Sequence, residues 1–92
     1  EAIANRAESY MALKNYNLAR TDYKKLQSLT PNDPRTYLRF AQISKAETAN
    51  QEELKNYKLF LKYVDPNSIP SEELEQIRNR IRELESSNNE TP

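Results

Sequence analysis

The chain of 92 residues contains no glycine, no cysteine and no histidine. Each absence removes a class of chemistry. Without glycine there is no flexible loop to cradle a phosphate, as nucleotide-binding motifs require. Without cysteine there is no disulfide framework, thiolate metal site or sulfur nucleophile. A chain without thiols suits oxidising and reducing compartments alike, so compartment is left open. Without histidine the commonest metal ligand and the commonest general base near neutral pH are gone. No carboxylate pair stands outside patterned helix surfaces. The chain is therefore expected to be non-catalytic, with no cofactor, no metal and no small-molecule substrate.

Two further shortages narrow the class. No apolar run approaches the roughly 20 residues that cross a bilayer, and no signal-peptide pattern is visible, so no membrane span is expected. Fourteen basic and fourteen acidic residues cancel, which disfavours a general nucleic-acid binder. The cancellation hides an asymmetry. Residues 1–64 carry eleven Lys/Arg against seven Asp/Glu, a net +4, and residues 65–92 carry three against seven, a net −4. Glu1 stands inside a helical pattern where an initiator Met would otherwise be, so the chain is expected to be a piece of a longer one.

What remains is rich in Ala, Leu, Lys, Glu and Arg, the residues of helices. Periodicity predicts about five. Ile3, Ala7, Tyr10 and Met11 recur at helical spacing until Lys14. A second helix opens with Asn15 as cap and carries Ala19, Tyr23, Leu26 and Leu29. Pro31 ends it, and Asp33 followed by Pro34 reads as an N-cap with proline at the first helical position. The third helix places Tyr37, Phe40, Ala41 and Ser44 on one face, Leu38 and Gln42 on another. Asn50 then reads as a cap with Glu53 as its capping-box partner. The fourth helix, about 51–64, is apolar on two sides, which predicts neighbours on both. The fifth carries Leu74, Ile77, Ile81 and Leu84 on a narrow stripe, with acidic residues in its first turn where the helix dipole favours them. The polar stretch 87–92 reads as a disordered tail.

Both breaks after long helices contain Pro-Asn, thirty-five residues apart at Pro31 and Pro66. Ala7 and Ala41 supply small residues at matching places, and Tyr23 and Phe60 supply aromatic ones near the helix ends. Internal repetition at this period is the signature of stacked helical hairpins. These residues resemble the tetratricopeptide repeat (TPR) family. The first unit matches through Ile3, Ala7, Tyr10, Tyr16, Ala19, Tyr23 and Pro31. The second matches through Tyr37, Phe40, Ala41, Leu54, Leu61 and Pro66, and the fifth helix is similar to the solvating helix that closes such arrays. Arg6, Lys14 and Leu54 depart from the pattern, which prefers Leu, Gly and Ala there.

The resemblance implies an all-α fold: antiparallel helical hairpins stacked as a right-handed superhelical solenoid. It divides the chain into hairpins 1–33 and 34–67, a capping helix 68–86 and the tail 87–92, with further repeats expected before Glu1. It also implies a protein-interaction scaffold whose concave groove holds a peptide or partner domain. By register, the groove is lined by Glu8 and Met11 of the first helix with Ala4 and Ala12, then Arg35, Leu38, Gln42 and Lys45 of the third, and Asn79 and Arg82 of the fifth. Such a surface suits a partner with acidic and apolar side chains. The family's clamp for chaperone carboxylate tails is disfavoured, because Ala4 and Glu8 stand where Lys and Asn are needed.

Two alternatives remain open. Leu74, Ile77, Ile81 and Leu84 are also spaced as an a/d seam, so the fifth helix could pair two copies as a homodimer. Its Glu75–Arg78, Arg80–Glu83 and Arg82–Glu85 spacings allow pairs along one helix. Arg20, Lys24 and Lys25 with Lys55, Lys58 and Lys62 make basic faces that, together with the tyrosines, would serve an RNA-binding repeat.

Overall fold

In the computed structural model, which describes residues 2–89, the chain is all-helical. Its helices are α1 (Ala2–Ala12), α2 (Tyr16–Leu29), α3 (Pro34–Ala46), α4 (Asn50–Tyr63) and α5 (Ser71–Asn89), with a single 3-10 turn at Pro66–Ser68. No strand occurs among the described residues. The main contacts join consecutive helices and are densest within the two pairs α1–α2 and α3–α4. The result is an elongated body of 43 × 30 × 21 Å.

The two breaks use one device. Asp33 caps α3 by accepting the Arg35 N–H at 3.0 Å, with Pro34 in the first turn. Asp65 accepts the Asn67 N–H at 3.0 Å ahead of Pro66 and starts the 3-10 turn in the same way. In both cases proline loses nothing, because the first amides of a helix have no partner inside it.

The two hairpin turns close as Schellman motifs without glycine. Asn15 N–H reaches Tyr10 O and Ala49 N–H reaches Ser44 O, both at 2.8 Å, while Lys14 N–H and Thr48 N–H reach Met11 O and Lys45 O at 3.0 and 3.1 Å. These bonds recur at an offset of 34 residues. The residue that must turn left-handed is Lys14 in one hairpin (φ 61°) and Thr48 in the other (φ 56°). A β-branched residue is poorly suited to that region.

This offset corrects the expected register. The turns Leu13–Asn15 and Glu47–Ala49 have equal length, so α4 begins at Asn50 with Ala49 in the cap position. Asn50 therefore does not cap, and Glu53 does not reach back to it. Neither Asn15 nor Ala49 makes a side-chain cap bond. It is Glu53, and not Leu54, that stands in α4 where Ala19 stands in α2. Likewise Tyr57, and not Phe60, corresponds to Tyr23.

Two cores share α3. Ala7, Ala19, Tyr23 and Ile43 form one, with Tyr10, Met11 and Phe40 against it. Tyr37, Ala41, Tyr57, Phe60, Leu74, Ile77 and Leu84 form the other. Ala7 and Ala41 are fully buried, where a larger side chain would hold the paired helices apart. Tyr23 meets Phe40 edge-on with centroids 6.3 Å apart, and Tyr37 stacks on Tyr63 at 5.6 Å. Such pairs add about 0.5–1.5 kcal/mol beyond their burial.

Helix α4 lies between α3 and α5, as its two apolar sides require. The α5 stripe of Leu74, Ile77 and Leu84 is buried in this chain's own core, with Ile81 packed beside it. The seam proposed for a homodimer is thus already covered by α4. Of the expected pairs along α5, Arg80–Glu83 forms at 3.2 Å, whereas Glu85 pairs with Lys58 at 2.8 Å and Arg82 bonds Asn79. The helix continues to Asn89, past the boundary expected at 86, so Ser87 to Asn89 of the expected tail are helical. The continuing backbone ladder needs no apolar side chains there. Residues 90–92 lie outside those described.

A buried ion pair joins α5 to α4. Glu53 is fully buried, and Arg80 clamps it with Nε to Oε2 at 2.7 Å and Nη2 to Oε1 at 2.9 Å. At the matching place between α2 and α3 the same gap is filled by Ala19 and Ile43. The 3-10 turn consumes the extra residues, so α5 meets α4 at an offset of 37 from α3 where α4 keeps 34 from α2.

Two stability predictions follow from the turns and this pair. Arg80→Met strands a buried carboxylate and is expected to cost about 3–5 kcal/mol in urea unfolding, whereas Glu53→Met with Arg80→Met restores stability to within about 1 kcal/mol of wild type. An equal loss in single and double variants would show that packing, and not the stranded charge, is responsible. Thr48→Gly removes a left-handed β-branched residue and is expected to stabilise by about 1 kcal/mol, with a smaller gain for Lys14→Gly. A loss at Thr48 would show that its side chain contributes more than its backbone geometry costs.

Candidate binding cleft

A cleft of about 440 Å³ opens between α1 and α3, with the last turn of α2 as its floor. Ala4 and Glu8 form the α1 wall, and Arg35, Leu38 and Arg39 form the α3 wall. Leu26 and Leu29 supply the apolar floor. Leu29 is 66% exposed. It remains uncovered because Thr30 and Pro31 turn the chain away just after it.

A polar network crosses the cleft wall and ties three helices together. Tyr23 Oη donates to Glu8 Oε2, Arg39 Nε donates to the same oxygen at 2.7 Å, and Arg39 Nη1 donates to Gln42 Oε1 at 2.8 Å. Partial burial disfavours the Glu8 carboxylate, but the bonds from Tyr23 and Arg39 outweigh it and hold the group below its usual pKa. Burial first, and then the hydrogen bond to Glu8, push the Tyr23 hydroxyl well up, so it stays a donor. Arg35 stands at the mouth, almost fully exposed, and is steadied by Asp33 at 2.8 Å. Its bond lowers the Asp33 pKa against a smaller opposing burial. The cleft thus offers an apolar floor between two guanidiniums whose carboxylate partners belong to the same chain.

Of the residues expected in a groove, the structure brings Glu8, Arg35 and Leu38 together here. Met11 turns inward and packs against the first core. Gln42 is half-buried and serves Arg39. Lys45 is exposed in the last turn of α3, away from the cleft lining. Asn79 and Arg82 are exposed on α5, bonded to each other, and do not line it. Arg39, Tyr23, Leu26 and Leu29 were not anticipated. Arg39 follows Arg35 by one helical turn, a spacing that puts both on one face. Leu29 borders the proline break, where the helix stripe runs out of neighbours.

A second carboxylate is clamped nearby. Asp22 on α2 accepts two bonds from Arg6 on α1, Nε to Oδ2 and Nη2 to Oδ1, both at 2.8 Å. Its side chain is only 4% exposed, covered by the Arg6 guanidinium, which is itself half in solvent. The Arg6 bond leads in holding the Asp22 pKa down. Arg6 thus has a partner within this chain.

Among the described residues no helix is long and apolar enough to cross a membrane, and no group of three or more His, Cys, Asp or Glu could hold a metal ion. Comparison with protein-family models, with curated proteins and with solved structures finds no match to this chain.

Glu8, Asp22 and Asp33 all have pKa values depressed in the folded state. Such groups stabilise the fold above their unfolded pKa, and the contribution is lost as pH falls through the folded one. The melting temperature is therefore expected to hold steady near neutrality and fall below about pH 4. Asp22→Asn is expected to be less stable at neutral pH and to lose less on acidification. A wild-type profile flat down to about pH 2 would show that these pairs contribute nothing net.

Proposed function

We propose that this chain is a TPR-like array of two helical hairpins closed by α5, and that it acts as a protein-interaction scaffold without catalytic activity. The α1–α3 cleft receives a peptide or a segment of a partner domain. The observation that carries this reading is the cleft itself, an exposed leucine floor set between Arg35 and Arg39. Recurrence of the turn bonds at 34 residues supports the family resemblance, since that is the family's repeat length. The placing of α5 against α4, in the way α3 meets α2, supports its reading as the closing helix.

In the bound state an apolar side chain of the partner covers Leu29 and Leu38. A carboxylate beside it meets the outward edge of Arg35. Affinity concentrates in those contacts, as in other interfaces where a few buried side chains dominate. Glu8 keeps Arg39 in place and deters a partner carrying negative charge along its whole length.

The test is selection of peptides from a random displayed library on the intact chain, followed by titration of the winners against Leu29→Asp and Arg35→Glu. Each substitution is expected to weaken the selected peptides by about tenfold or more, since each removes on the order of 1.4 kcal/mol of contact. Both sites are exposed, so the helical circular dichroism is expected to be unchanged. Peptides that bind both variants as tightly as the wild type would overturn the assignment of the cleft.

A further inference from the structure

A second cleft, of about 260 Å³, lies between α2, α3 and α4 and shares no lining residue with the first. Its floor is made by Tyr37, Phe40 and Leu59, and its rim by Arg20, Lys24 and Lys55. Arg20 is engaged by Glu47. Lys24 and Lys55 are exposed and have no carboxylate partner among the described residues, and Glu52 is the single acidic residue of the rim. Part of the basic excess of residues 1–64 thus borders a small slot of mixed polarity.

We propose that the α2–α4 cleft docks an acidic segment of a partner protein, one that sets a single aliphatic side chain on the Phe40–Leu59 floor and carboxylates on Lys24 and Lys55. Charge complementarity selects the sign of the partner. The aromatic geometry selects its class. Single-stranded nucleic acid needs ring faces on which bases can stack. Here Tyr37 stacks on Tyr63, and its hydroxyl is fixed to Pro31 O at 2.8 Å, while Phe40 is engaged edge-on by Tyr23. With Tyr37 buried and both rings already engaged by other aromatics of the chain, the slot favours an aliphatic group over a stacked base. A second copy of this chain is the wrong occupant as well. Its acidic segment is α5, whose Leu74, Ile77 and Leu84 are buried in its own core, so it would bring charge without an anchor. This surface is separate from the α1–α3 cleft and does not depend on what that cleft binds.

The experiment is fluorescence anisotropy with a short labelled peptide of alternating Asp and Ser around one central Leu. The comparisons are the same peptide with Ser in place of Leu, and an oligouridine of equal length. The intact chain is expected to bind the Leu peptide, with affinity falling as salt rises. Lys24→Glu with Lys55→Glu is expected to weaken it by about tenfold or more, and the Ser peptide is expected to bind less tightly than the Leu one. Lys45→Glu, exposed on α3 and in the lining of neither cleft, is expected to leave binding unchanged. Lys24→Gln with Lys55→Gln gives a smaller loss of the same sign if the charge reversal perturbs the fold. No binding at low salt, equal binding by the lysine variants, or oligouridine bound more tightly than the Leu peptide would each overturn the proposal.

Discussion

Two residues in the left-handed region, Lys14 and Thr48, hold this architecture in register. Each lets a helix end in a six-to-one bond and turn back within three residues. The returning helix then has one azimuth, and that azimuth decides which of its residues face inward. Glycine would close these turns at no steric cost. The chain has none, so part of the packing energy of each hairpin offsets backbone strain of the order of 1–2 kcal/mol. Ala7 and Ala41, fully buried beside the turns' own helices, allow the close approach that makes this exchange favourable.

The same register places carboxylates inside the body. Asp22 and Glu53 each occupy a nearly dry position on a second helix, and each is held by two parallel bonds from one edge of a guanidinium on a neighbouring helix. The arginine differs in origin. Arg6 comes from the helix before, within the hairpin, and Arg80 from the helix after. One pair braces a hairpin internally, and the other fastens α5 to it. Bidentate geometry rewards one relative orientation of the two helices, so these pairs specify angles as much as they stabilise contacts.

How much of this could be read in advance depended on whether a signal was local. The Asp33–Pro34 cap, the alanines at Ala7 and Ala41 and the apolar stripes all announce themselves through neighbours three or four places away, and the structure has them where periodicity put them. The Asn50 cap with Glu53 was a legible motif that lost to a rival. Thr48 adopts a conformation its side chain disfavours, which starts α4 a residue early and turns Glu53 toward Arg80, a partner 27 positions distant. No local pattern shows such a pairing. The candidate cleft divided along the same line. Glu8, Arg35 and Leu38 lie on predictable helix faces, whereas Leu29 matters because of where α2 stops relative to α1 and α3. Asn79 and Arg82 drop out because α5 packs on α4 and leaves the α1–α3 wall alone.

Because the main packing joins consecutive helices, most contacts link segments close in sequence. A topology of that kind pays little loop-closure entropy before its contacts form, and helical folds with such local contacts reach the native state in microseconds to milliseconds. Assembly can begin in either hairpin, since each has its own turn and its own share of a core. Helix α5 has a single principal neighbour, so its docking is the natural last step, completed when Arg80 reaches Glu53. The reverse order applies to opening. The slowest amide protons are expected in α3, which contributes to both cores, and the fastest helical ones in α5.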